Sequence, residues 1–398
     1  MSSTSDFFLR KREWSEIKDG ILGAYLRPYL AKISHTRKAV RIADCFAGKG
    51  RFQDGKDGSP IIIRDAIYEQ LKQTPQASIE GVFIEKKYID DLRRNLQENK
   101  HVHVLAGDYE ERMEYFIANY DARNKNLFLY VDPYGIISLK MSHFKAVASM
   151  PFYTIEILII FNACGFLREG CRLLKGSVLE GAPLEEAYEP DVNSPDNLDA
   201  IAGGRYWRAI IDSYYKDNDL HAAENALVAA YVEQLKQVFG HVIQFPVKAS
   251  LSHIAKYRMI YGTMHEDGLF LMADNMNKRW SEFRNRVRPQ SVLFEVDYPD
   301  GQTWDSSCNK DQCILGILDK KIQLNTLLAR LLDKYGVWLS TSEWKEHLKQ
   351  MEKSGSIVVN RHPPSSLTGV AYRGWDHTDR GGYKLFVERN AQWQQTLL

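Results

Sequence analysis

At 398 residues the chain is too long for one small module, and at about 100 to 200 residues per domain it predicts two or three domains with ample material for a core. Fifty-two Lys and Arg against fifty-one Asp and Glu leave a net charge of +1, which excludes a global field that would hold nucleic acid or an anionic membrane; such a partner needs a local patch. An apolar share of 44% with 12% aromatic residues argues against disorder. Five cysteines (Cys45, Cys164, Cys171, Cys308, Cys313) are too few and odd in number for a disulfide framework, so a reducing, cytoplasmic setting is expected. The opening MSSTSDFFLRKREW holds no apolar run of signal-peptide length, and no stretch reaches the roughly 18 apolar residues of a membrane span.

From Trp14 to Ile33 apolar residues recur at helical spacing, which predicts an amphipathic helix. A short strand, Ala39 to Ala43, runs into the turn DCFAGKG, and a helix follows with Ser59 expected as N-cap and Pro60 as its first residue. The alternation then repeats: strand Ile79 to Ile84, helix Tyr88 to Glu98, strand Val102 to Leu105, helix Glu111 to Asn119, strand Leu127 to Val131 and, after a helical stretch, strand Glu156 to Phe161. Short apolar strands alternating with helices are the mark of a parallel sheet covered on both faces. His241 to Val247 and Lys256 to Thr263 are expected to pair as an antiparallel hairpin, which would leave the sheet mixed.

The expected fold class is therefore α/β: a doubly wound, mostly parallel, Rossmann-like sheet over about residues 1–300, with a helical cap inserted near 165–235. From Asp319 the texture changes to helix, helix, strand IVVNR, a Gly- and Pro-rich loop and strand YKLFVER, the order of a winged helix over 310–398. Nine Lys and Arg against seven acids over residues 331–398 are feeble support for DNA binding by that module.

The chemistry gathers at strand ends. Asp44 closes the first strand and leads into Gly48 and Gly50, where missing side chains let backbone approach a ligand at the carboxyl edge of a parallel sheet. Glu85 closes the second strand, Gly107 and Asp108 the third, and Asp132 the fourth. An acid after the second strand suits ribose hydroxyls, and one after the third suits an adenine amino group, so the set describes a nucleoside pocket. The competing role for Glu85 and Asp108 is helix capping. Glu85 lies 35 residues past Gly50, against about 20 in a dinucleotide fingerprint, which disfavours hydride transfer with a nicotinamide.

The stretches DCFAGKG (Asp44 to Gly50), GSP (58–60), FIE (83–85), GD (107–108) and DPYG (132–135) resemble the class I S-adenosylmethionine-dependent methyltransferase fold and, more specifically, the three-Cys-motif partner protein family. The resemblance runs from the opening DFF to about residue 270. It implies S-adenosylmethionine as cofactor, with Asp44, Phe46, Gly48, Gly50, Glu85 and Asp108 binding it, and a three-Cys-motif protein as a partner. Asp132-Pro133-Tyr134-Gly135 resembles the DPPY-type signature of amine methyltransferases and the DPFG form of tRNA guanine-N2 methyltransferases. Asp132, Pro133 and Tyr134 are therefore the expected catalytic residues, steadying an exocyclic amine and stacking its ring.

Lys278, Arg279, Trp280 and Arg284, with Phe283, Arg286 and Arg288 beside them, form the candidate nucleic-acid contact, against the alternative of a solvated helix face. Two rival readings stand: a non-catalytic partner or scaffold that keeps the fold, and a metal-dependent nuclease built on Glu85-Lys86-Lys87 with Asp44 or Asp65. The Cys308 and Cys313 spacing lacks a second ligand pair, so no metal site is expected.

Overall fold

Short β-branched and aromatic runs pair side by side to form the centre of the molecule. The computed structural model describes residues 9–177, 179, 192–250, 253–287, 309–364, 374–375 and 382–390. Strands β1 (Val40–Asp44), β2 (Ile79–Glu85), β3 (Val102–Ala106), β4 (Asn126–Val131), β5 (Thr154–Phe161), β6 (His241–Val247) and β7 (Tyr257–Thr263) form one sheet in the order β3-β2-β1-β4-β5-β7-β6. All pairs from β3 to β5 are parallel, and β7 is antiparallel to both β5 and β6, so the mixed edge expected from sequence is present. This is a doubly wound, mostly parallel, Rossmann-like sheet. The chain leaves β1 toward β2 and β3 and returns to β4 on the other side, so the strand order reverses between β1 and β4, where open α/β sheets form a ligand crevice.

Both faces are covered because the strands are apolar on both. One face, carrying Val40, Ile42, Phe83, Phe128 and Tyr130, packs on α1 (Glu13–Ser34), α2 (Ser59–Gln73) and α10 (Glu266–Val287). The other, carrying Leu127, Leu129, Val131, Ile157 and Phe161, packs on α4 (Tyr109–Asn119), α5 (Met141–Ala148) and the crossover helices α6 (Ala163–Lys175), α7 (Pro195–Ala202), α8 (Tyr206–Asp217) and α9 (Leu220–Lys236). The insertion expected as a cap is thus largely a layer on the sheet, with Trp207, Ile211 and Tyr231 fully buried against it. Within it Gly203 in the left-handed region ends α7, and α8 restarts at Tyr206. Between β2 and β3 lies α3 (Ile89–Leu96).

The C-terminal region comprises α11 (Lys310–Leu315), β8 (Ile322–Gln323), α12 (Leu324–Tyr335), α13 (Thr341–Ser354), β9 (Ile357–His362) and β10 (Lys384–Arg389), with the strands in an antiparallel sheet ordered β8-β10-β9. Ser340 and Glu343 close a reciprocal capping box at the start of α13, and Gly355 ends it. Its apolar side chains join the cluster beneath α10.

Candidate functional site

The turn after β1 straddles the switch point. Cys45 N–H donates to the Tyr130 carbonyl of β4 (2.9 Å), and two residues on Ala47 N–H donates to the Ile84 carbonyl of β2 (3.0 Å). Gly48 (φ +61°) and Gly50 (φ +79°) then take left-handed backbone that side chains disfavour. The Gly58 N–H returns to the Gly50 carbonyl at 2.8 Å, and a Cβ on Gly58 would lie 3.1 Å from that oxygen. Gly58, not Ser59, is the N-cap of α2, because the Ser59 hydroxyl is turned to Asp44, donating to Oδ2 at 2.7 Å. Asp44 is fully buried, and burial raises its pKa to about 7 against the lowering by Ser59 and the Phe46 N–H. The Phe46 ring is part-buried against Tyr109, with centroids 4.8 Å apart.

Glu85 faces the same turn. Its Oε2 accepts the Gly48 N–H (2.7 Å), and Oε1 accepts the N–H groups of Lys87 (2.6 Å) and Tyr88 (3.0 Å), so one carboxylate fixes the glycine turn and the approach to α3. Asp108 is the N-cap of α4, accepting from Glu110 N–H at 2.9 Å, and pairs with Lys86 at 3.0 Å. Its pKa is lowered: burial acts upward but is outweighed by Lys86 and the Glu110 N–H. Helix capping, the alternative weighed above, therefore accounts for the position of Asp108.

Asp132 stands beside Asp44 past the end of β4. Its Oδ2 receives Lys18 Nζ at 2.6 Å and the Tyr130 hydroxyl at 3.1 Å. Pro133 is buried and Tyr134 is 65% exposed at the rim. Lys18, on α1, is itself buried, with Nζ also 4.7 Å from the Tyr257 ring centroid. The next residue, Asp19, is enclosed and has its pKa raised by burial, against Lys11 Nζ at 2.5 Å. Lys11 also clamps the loop between the glycines: its backbone N–H donates to Asp54 Oδ2 (3.0 Å) and its Nζ to the Asp57 carbonyl (2.6 Å). Lys11, Lys18 and Asp19 were not among the sequence candidates. For Lys18 and Asp19 the signal available was charge on α1 close to the core positions Ile21, Leu22 and Tyr25; Lys11, ahead of the helix, carried none.

The basic cluster lies on α10, which runs antiparallel to α1: Lys32 meets Asp267, and the Ile21 carbonyl accepts from Asn275. Its C-terminal end thus lies toward the carboxyl edge of the sheet. Trp280 and Phe283, however, are 4% and 5% exposed, and Trp280 packs edge-on to Phe245 and Trp338. Trp280 is corrected from a stacking residue to a core residue, because Met272, Met276, Trp280 and Phe283 share the buried stripe of the helix. Lys278 is exposed, Arg279 pairs with Glu282 at 2.7 Å, and Arg284 is part-buried. Arg288 and Cys308 lie outside the described residues, and Cys313 is buried in α11.

Among the described residues no three His, Cys, Asp or Glu side chains form a metal-binding group. Glu85 turns both oxygens onto backbone N–H groups, and Asp65 pairs with Arg64 on α2. No described helix is long and apolar enough to cross a membrane.

No protein-family model and no curated protein matches the chain. Among solved structures it is similar to Trm1 from Pyrococcus horikoshii in complex with S-adenosyl-L-methionine, at 9% identity and TM-score 0.34 over 79% of this chain and 88% of that one. It is similar also to an O-methyltransferase from Bacillus cereus in complex with SAH (11% identity, TM-score 0.30, 65% of this chain and 94% of that one). A third is spermidine synthase from Thermotoga maritima, at 9% identity and TM-score 0.30, over 72% of this chain and 67% of that one. At these values no residue role passes from them to this chain.

Proposed function

We propose that the chain is an S-adenosylmethionine-dependent methyltransferase that N-methylates an exocyclic amine of a nucleobase, in nucleic acid or in a nucleoside. The observation that carries the reading is the meeting, at one switch point, of the Gly48 and Gly50 turn, Glu85 behind it, and Asp132-Pro133-Tyr134 just past the end of the neighbouring strand β4. The residues fit the cofactor. Two left-handed glycines keep side chains out of the cradle, and Glu85 Oε2, which accepts one backbone N–H, keeps a second lone pair for a ribose hydroxyl, while Oε1 is taken up by two. Asp44, Phe46, Gly48, Gly50 and Glu85 would hold it; Asp108 would join only with its exposed carboxylate edge.

When bound, the cofactor supplies a methyl group on a cationic sulfur. An exocyclic amine is a weak nucleophile because its lone pair is delocalised into the ring. Asp132 and the Pro133 carbonyl would accept its hydrogens, steady its geometry and stabilise charge developing on nitrogen. The exposed Tyr134 ring would stack on the base. Lys18 and Tyr130 hold Oδ2 of Asp132, which leaves Oδ1 outside these two contacts and directs the carboxylate. Within this class we assign the chain to the three-Cys-motif partner family on the motifs quoted above, with a three-Cys-motif protein as partner, and read residues 310–398 as a winged helix from their strand and helix order.

Calorimetric titration with S-adenosylmethionine, followed by mass spectrometry of nucleosides from cells with and without the protein, tests the reading. Asp132→Ala is expected to retain cofactor binding and to lose about a hundredfold or more in methyl transfer. Absence of cofactor binding in the wild type refutes it. One observation favours the scaffold reading: the Lys18 ammonium neutralises the Asp132 carboxylate. Cofactor binding without turnover on any nucleoside would support that alternative.

A further inference from the structure

The opposite edge of the sheet carries a second concavity that neither the motifs nor the proposed methyl transfer uses. It has a volume of about 310 Å³ and is framed by the amino ends of β1 and β2 and the segments entering β3 and β4. Arg41, Lys100, His101 and Lys125 line it, with Glu80 as the carboxylate among them and Tyr120 as a wall. Arg41 pairs with Glu80 at 2.7 Å, and its guanidinium lies 4.1 Å from the Tyr120 ring centroid. Lys125 Nζ sits 4.5 Å from the same ring. Lys100 is exposed, and among the described residues neither it nor Lys125 makes an ion pair. At the flank, Lys38 Nζ lies 4.4 Å from the ring of Tyr153, which is 55% exposed, and donates to Asn124 at 3.1 Å.

Cations gathered around one hollow with a single carboxylate repel one another, and in a chain of net charge +1 this cluster is not part of a general basic surface. The arrangement gains free energy when an anion enters. A phosphate fits better than a carboxylate because it offers enough oxygens and charge for several cations at once; the Tyr120 ring is taken up by Arg41, Lys125 and the stacked Phe116, so the surface offered to a planar base is the exposed Tyr153 ring at the flank.

We propose that this concavity binds the phosphate of a nucleotide unit, either free or within a single nucleic-acid strand. Because Asp44 and Asp132 stand at the other edge, the site is separate from that of methyl transfer and does not rest on it. His101, which lines the site, is held in place by a hydrogen bond between its Nδ1 and the Ile79 carbonyl (2.9 Å), and His103, outside the lining, lies 3.6 Å from Glu80.

The test is fluorescence anisotropy of the full chain with a labelled single-stranded oligoribonucleotide at low salt and without S-adenosylmethionine, with AMP, inorganic phosphate and poly-aspartate as competitors. Lys100→Glu with Lys125→Glu is expected to weaken binding by roughly tenfold or more and to flatten the salt dependence, since each lost phosphate contact removes about one unit of slope. Lys100 is exposed and Lys125 part-buried beside Tyr120, and an unchanged thermal midpoint verifies folding of the variant. Competition by AMP at concentrations comparable to strand phosphate identifies a free-nucleotide site; competition by strand alone identifies nucleic acid. No binding to any phosphate probe, equal affinity in wild type and double variant, or competition by poly-aspartate as strong as by the strand overturns the proposal.

Discussion

Glu156 and Asp44 are carboxyl groups that the fold encloses, and for each burial is the largest influence, raising its pKa to about 7. Glu156, on β5, accepts from the Tyr25 hydroxyl, which lies 2.7 Å from that of Tyr261, and a Cβ at Gly268 would come within 2.7 Å of Glu156 Oε1. Between about pH 4.5 and pH 7 the unfolded chain has released the Glu156 proton and the native chain retains it, so stability falls with rising pH across that window and levels off above it. Glu156→Gln keeps a hydrogen-bonding amide and removes the titration. Relative to wild type the variant should gain on the order of 2 kcal/mol between about pH 5 and pH 8, read from urea midpoints. A pH-independent difference would show that Glu156 is ionised in the native state. Asp44 imposes the same sign at the site itself, where its proton removes one negative charge from beside Asp132 and Asp19.

The elements were legible where local pattern and tertiary role agree. Strands β1, β2 and β4 are short apolar runs that end in an acid or lead directly into one, and the switch point follows once their parallel order is known, so the location of Asp44, Glu85 and Asp132 could be read directly. What was not legible depends on contacts across the fold. Lys18 reaches Asp132 across 114 positions of sequence, and Ser59 abandons its expected cap because a buried carboxylate draws its hydroxyl. Helix α10 departs from expectation for a different reason: the charges at Lys278, Arg279 and Arg284 are interleaved with an apolar stripe that faces the core. That stripe was present in the sequence at helical spacing. If Trp280 is core, Trp280→Ala should cost about 3 kcal/mol or more of stability, while Lys278→Glu should cost little. Equal denaturant midpoints for Trp280→Ala and wild type would return the indole to the surface.

At the scale of the molecule, composition and texture separated the C-terminal region from the sheet domain, and charge balance gave no hint of how the two meet. The basic concavity at the amino edge was hidden for the same reason, since Arg41, Lys100 and Lys125 come from segments far apart in the chain. Helix α10 is the joint. Its Asn277 side chain donates to the carbonyls of Val337 (3.0 Å) and Trp338 (2.9 Å), Asp274 accepts from the backbone and hydroxyl of Thr341 (2.7 Å each), and Glu266 accepts from Asn325 (2.6 Å) and Thr326 (3.1 Å). His241 on β6 adds a contact to Asp333 on α12 at 2.9 Å. The apolar cluster runs without a break from α1 and the sheet through Met276 and Trp280 to Leu328, Leu331 and Trp344. Separating the regions would expose that apolar surface and strip partners from side chains whose hydrogen bonds cross the joint, which penalises any state with one region folded and the other not. Unfolding should therefore be a single transition, with far-UV circular dichroism and tryptophan fluorescence coinciding in urea. Two separated transitions, or a fluorescence change well before loss of helix, would show instead that the C-terminal region is an independent unit held to the sheet domain only loosely.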